Sequence, residues 1–259
     1  MSLLISTQAE VLKTKRTASF WLSILGSLFI PGIFFCIFTF NPGDNGLKDF
    51  STDPWRKMFL LGWEFFSAFT LPMYIILIST LLPQIEVKNN TWKQVFASPQ
   101  SLANIYFSKF AVVNIMIISC FLLYNMFMLF TGAIVNLMNP SFPFLHSTID
   151  VALLIRLSFK FYISVLGIIA IQYYLSLRFK NFVAPIGIGL ALVITGVIVF
   201  NLHWQHVNKF PYAHSMITSV TVKQTGRPFL ETHELYSLGY FVFFTLLGFL
   251  DMKMRKEKG

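Results

Sequence analysis

Charge is scarce in this sequence. Only 12% of its 259 residues are Asp, Glu, Lys or Arg, while 55% are hydrophobic. A soluble domain carries about 25% charged residues. The mean hydropathy of +0.65 and thirty Phe exclude a soluble globular domain, whose surface could not hide them. Cysteine is nearly absent: Cys36 and Cys120 fall in apolar runs at different depths. A disulfide needs Cα atoms within about 7 Å, so two free thiols are expected. Catalytic signatures are missing as well. Without G-x-x-x-x-G-K-[ST] the chain has no ATP cradle of its own. It also lacks H-E-x-x-H and G-x-S-x-G. The net charge of +9 would suggest nucleic acid in a soluble protein. No basic, aromatic-interleaved soluble face exists to bind it, so no nucleic-acid partner is expected.

What is present is six apolar runs, at about 19–40, 58–82, 105–135, 149–177, 183–201 and 234–252. Each is long enough to cross a bilayer as a helix, which takes about 20 residues. The expected fold is therefore all-α and integral to the membrane, in a single transmembrane domain of six spans. The first run is too long for a cleaved signal and lacks an A-x-A site, so it is expected to stay in place. Twelve basic residues, among them Lys13, Lys15, Arg16, Lys88, Lys93, Arg178 and Lys180, fall on the side of the termini. Six fall on the other side: Lys48, Arg56, Lys57, Lys209, Lys223 and Arg227. By the positive-inside rule both termini are cytoplasmic. The sequon Asn89-Asn90-Thr91 would then be inert.

Ahead of the first span, Leu4, Ile5, Val11 and Leu12 recur at roughly helical spacing within residues 2–17. This predicts an interfacial amphipathic helix, with a frayed tail as the alternative. Residues 83–104 form the longest polar stretch on the cytoplasmic side. Trp92 and Phe96 share a helical face there, and Ser98-Pro99 would stop that helix. It could lie on lipid or dock in a groove of a partner protein, with Trp92 and Phe96 as anchors.

Three charges fall inside spans. Glu64 sits about seven residues into the second run, and Arg156 and Lys160 lie at i,i+4 in the fourth. A mid-membrane charge costs about 2.5–3.5 kcal/mol on insertion scales and finds a partner. Glu64 is therefore expected to approach Arg156 or Lys160, as a structural clamp or as part of a transport path. Gly187, Ala191 and Thr195 repeat at i,i+4,i+8, the spacing that lets helices pack closely, within the chain or against a second protomer. His203, His206, His214 and His233 cluster in the last outer segment. No carboxylate or Cys stands at ligand spacing, so interfacial histidines are expected rather than a zinc site.

The chain resembles the permease subunits of type-2 ATP-binding-cassette exporters, most of all the lantibiotic-protection permeases of bacteria. The likeness is carried by AEVLKTKRTASFW, by residues 86–109 (EVKNNTWKQVFASPQSLANIYFSK), by IQYYLSLRFKNFVAPIGIG at 171–189 and by FPYAHS at 210–215. It implies a connecting helix before the first span and a coupling helix between the second and third. Here the latter would use Glu86, Asn90, Thr91, Trp92, Lys93 and Phe96 to engage a separate ATPase subunit, which binds ATP and Mg. It also implies short re-entrant helices in 202–233, broken by Pro211 and Pro228. A second permease chain, identical or paralogous, would complete the pathway amid membrane lipid, with outward movement of cargo by alternating access. A stand-alone secondary transporter or channel is the alternative. It would carry more intramembrane polar groups or paired broken helices.

Overall fold

Among the described residues the chain is helical, with six helices long and apolar enough to cross a membrane. The computed structural model describes residues 3–15, 17–41, 50, 52–88, 100–179, 181–224, 226 and 228–256, with backbone alone at 85–88, 255 and 256. Helix α1 covers Leu3–Thr14, α2 Ala18–Phe40, α3 Pro54–Phe65 and α4 Leu71–Lys88. A π-turn at Phe66–Thr70 joins α3 to α4. Then come α5 (Leu102–Met138), α6 (Val151–Arg178) and α7 (Val183–Asn201). Two 3₁₀ turns, Val207–Lys209 and Pro211–Ala213, lead into α8 (His214–Thr221), and α9 covers Thr232–Lys256.

Of the six spans, α7 covers the same residues as its apolar run, α6 starts two residues later than its run, and the other four start earlier than theirs. Pro54 supplies the preset φ that starts α3, four residues before the apolar run. At 37 residues, α5 is about 55 Å long at 1.5 Å per residue. That exceeds the hydrocarbon thickness of about 30 Å, so α5 tilts or projects.

Successive spans run antiparallel, which gives the bundle two ends. At the terminal end, Gln84 Nε2 on α4 donates to the Phe179 carbonyl at 3.1 Å, and Arg178 lies 3.6 Å from Asp251. At the opposite end, Trp55 Nε1 donates to the Phe144 carbonyl at 2.8 Å. Helix α6 is the centre: 67% of its apolar window is buried, against 22% for α7 and for α9. An aromatic core surrounds it, with Trp63 stacked on Phe161 at 4.5 Å and Phe66 on Tyr124 at 4.4 Å. Nearby, Tyr74 OH lies 2.7 Å from Ser23 Oγ and donates to the Met116 carbonyl at 3.0 Å. That hydroxyl ties α4 to both α2 and α5. Ser19, Ser23 and Ser27 are all buried on one face of α2. Their i,i+4,i+8 spacing is a sequence signal that the reading of small residues overlooked.

On α7 the small-residue stripe does not pack within the chain. Gly187, Ala191 and Thr195 are exposed, and the buried face carries Pro185, Gly189, Val193 and Gly196 instead. A Cβ on Gly196 would come 2.8 Å from the Tyr212 carbonyl oxygen, whereas one on Gly187 would meet nothing within 4 Å. Two interleaved small-residue periodicities run along this helix, and only tertiary contacts choose its rotation. Gly196→Ala should therefore cost about 1–3 kcal/mol by overpacking. Gly187→Ala should stay within about 0.5 kcal/mol of the parent chain. Thermal unfolding of the two variants in detergent checks this, and equal losses would contradict the assigned rotation.

Candidate functional site

The segment between α7 and α9 carries the densest buried polar chemistry at the opposite end of the bundle. It begins where α7 stops. His203 adopts φ 54°, and its N–H reaches the Phe200 carbonyl while the N–H of Trp204 reaches that of Val199. This pair of bonds closes a helix through a left-handed residue. Pro211 then opens the second 3₁₀ turn, so it starts an element as well as ending one. Tyr212 is buried, and its hydroxyl accepts from Gln172 Nε2 of α6 at 2.6 Å. On α8, Ser215 Oγ donates to the Ser67 carbonyl of the π-turn at 2.9 Å. Thr218 Oγ1 lies 2.8 Å from His233 Nε2.

The histidines separate into two groups. His203 and His206 are exposed, with His206 beside the Trp204 ring, as expected of interfacial residues. His214 and His233 are buried, with ring centroids 5.8 Å apart. His214 Nε2 bonds the Asn208 carbonyl at 2.9 Å. Among the described residues no group of three or more His, Cys, Asp or Glu is placed to hold a metal ion.

The intramembrane charges pair differently from the expectation. Lys160 Nζ donates to Glu234 Oε2 at 2.8 Å and to the Phe229 carbonyl at 2.6 Å. Glu234 Oε2 also accepts the Glu231 N–H at 2.8 Å, half of a capping box at the start of α9. Glu64 instead pairs with Lys223, just beyond α8. Arg156 is exposed, one turn nearer the helix end than Lys160. The expected approach of Glu64 to Arg156 or Lys160 is thus overturned. The physical reason is that 202–233 folds back among the spans and brings Lys223 down to Glu64. Glu234, at the edge of its apolar run, is carried into the bundle, where it is fully buried.

At the terminal end a second buried pair fixes α1. Lys109 Nζ of α5 donates to Glu10 Oε2 at 2.9 Å, and Lys13 donates to Glu10 Oε1 at 2.6 Å. Ser6 and Thr14 are buried, whereas Leu3, Leu4, Ile5 and Leu12 are exposed. Val11 also packs against the core, so one face of α1 meets protein, while Leu3, Leu4, Ile5 and Leu12 form an outward face suited to lipid. Burial pushes the Glu10 carboxyl up, but Lys109 and Lys13 outweigh it and hold the carboxyl below its ordinary value.

The expected coupling residues fall elsewhere. Asn90, Thr91, Trp92, Lys93 and Phe96 lie outside the described residues, and Glu86 is described only as backbone in α4.

Two expectations follow. Lys160→Met alone strands the Glu234 carboxylate and should cost about 3–5 kcal/mol, while the double variant Lys160→Met/Glu234→Gln should recover most of that. Denaturation midpoints in detergent would show it, and equal losses in both would contradict the pairing. Because the Glu10 carboxyl is held low, its docking energy is complete above the ordinary carboxylate range. It is lost as pH falls through the lowered value. Proteolysis near Thr14 should rise at acid pH in the parent chain, and Glu10→Gln should remove that dependence.

No significant match exists among curated proteins or solved structures. Residues 6–196, from α1 through most of α7, match the family described as ABC-2 family transporter protein. That span covers most of the chain and the first five membrane helices. The protein, a multi-pass membrane protein by its own helices, therefore belongs to the ABC-2 transporter family.

Proposed function

We propose that the chain is the permease subunit of an ATP-driven exporter in a bacterial inner or plasma membrane. Membership of the ABC-2 transporter family carries this reading. That family supplies the membrane component of its transporters, which implies a separate ATPase partner. The ATPase binds ATP and Mg and closes on nucleotide. A second permease chain, identical or paralogous, completes the pathway, and alternating access moves a peptide, lipid-like or other amphipathic cargo outward. The likeness to lantibiotic-protection permeases suggests a peptide antibiotic as cargo.

Several features support the details. With the termini cytoplasmic, as the charge count suggests, the α4–α5 connection faces the ATPase. Its flanks are tied to the bundle: Gln84 bonds the end of α6, and Ser6 of α1 bonds Gln100 at 3.4 Å. Glu86, Asn90, Thr91, Trp92, Lys93 and Phe96 of this connection engage the ATPase, with Trp92 and Phe96 as groove anchors. The 3₁₀ turns and α8 are the re-entrant elements on the outer side. With Lys160 held by Glu234, these two charges act as a clamp, and Arg156 remains to meet an anionic group on cargo or lipid. The exposed Gly187, Ala191 and Thr195 face offers close approach to the second permease chain.

Co-purification tests the reading. The parent chain should bring down an ATPase subunit, and Trp92→Ala or Glu86→Ala should lose it. Retention of the ATPase in both variants would contradict the coupling assignment.

A further inference from the structure

The π-turn at Phe66–Thr70 lies where the second span changes from α3 to α4. Its last bond runs from the Leu71 N–H to the Phe66 carbonyl, five residues back. In that register the next carbonyl, Ser67, needs the N–H of residue 72. Residue 72 is proline and has none. The Ser67 carbonyl therefore has no donor from its own ladder, in the fully apolar surroundings of Phe66 and Leu71, both at 0% exposure. Ser215 Oγ of α8 supplies the missing donor at 2.9 Å.

If the turn reverted to ordinary four-residue spacing, Pro72 would still leave one carbonyl short, but now that of Ala68. One residue along a helix is about 100° around its axis, so that orphan would point away from Ser215. Pro72 thus leaves at least one carbonyl unsatisfied in either register, and only the π register aims the Ser67 carbonyl at α8. A second tie lies one turn earlier on the same face, where Glu64 meets Lys223. Burying a carbonyl without a partner is costly, so docking of α8 and the π register each favour the other.

We propose that Pro72, Ser67 and Ser215 form a register switch that couples the outer segment 207–223 to the second span. Undocking α8 releases the π-turn, and straightening the π-turn ejects α8. The rotation is passed along α4, which runs to Lys88 at the other end of the bundle. Three positioning residues, on the π-turn, α4 and α8, thereby link the two ends of the molecule through one hydroxyl-to-carbonyl bond. The switch stands on this geometry alone and does not require the permease reading.

The test uses the full chain alone in lipid nanodiscs, so absence of an ATPase partner would not affect it. Ser219 of α8 is 5% exposed, and Ser219→Cys reports undocking through its labelling rate with a water-soluble maleimide. The parent chain, with Cys36 and Cys120 in its spans, is the blank. Ser215→Ala should raise the rate about tenfold, the scale of one hydrogen bond. Pro72→Ala gives the span its missing N–H, so it should raise the rate similarly while melting no lower than the parent. The two changes together should do no more than either alone. Continued protection in Pro72→Ala, a lowered melting midpoint in that variant, or rates that multiply to about a hundredfold would overturn the switch.

Discussion

Inside a bilayer no water replaces a missing hydrogen bond, so every polar group in the bundle must be answered by the protein itself. That constraint organises both ends of this chain. Lys160 is answered by Glu234 and the Phe229 carbonyl. Glu10 is answered by Lys109 and Lys13. The first arrangement fixes the return of the chain into α9. The second holds α1 against α5 with Leu3, Leu4, Ile5 and Leu12 outward. Each pair joins an irregular or peripheral element to a long span, so the energetic consequence of a buried charge becomes a positional one.

The same logic connects fold to transport. The proposed permease, moved by a separate ATPase, needs rigid spans and a few places where packing has two arrangements. The aromatic core around Trp63 and Phe161 serves the first need. The π-turn serves the second, because a proline has removed the donor that would fix one register. Around it lie α8, Glu64 and Lys223, so the adaptable point of the second span adjoins the element that covers the end of the bundle opposite the termini.

The six spans were legible in the sequence because span formation is local: about 20 apolar residues suffice, whatever surrounds them. Partner choice is not local. Glu64 and Lys160 stood out as charges within apolar runs, yet their partners, Lys223 and Glu234, come from a segment whose fold-back leaves no periodic trace. The small residues of α7 showed that the helix packs closely somewhere. Their two interleaved stripes hid the rotation, which the approach of Gly196 to Tyr212 decides. For α1 the amphipathic pattern was clear, and its helix is present. Which face met protein depended on Lys109, some hundred positions away. Pro72 was visible throughout, but its meaning required Ser215 to be placed beside Ser67.

The central claim is that 207–221 is an integral part of the bundle, hydrogen-bonded to α6 and to the π-turn, not a surface loop. Hydrogen–deuterium exchange of the full chain in lipid nanodiscs tests it most directly. The account predicts that amides of His214–Thr221 exchange as slowly as those of α6. Exchange within seconds, at the rate of the exposed 202–206 turn, would contradict it.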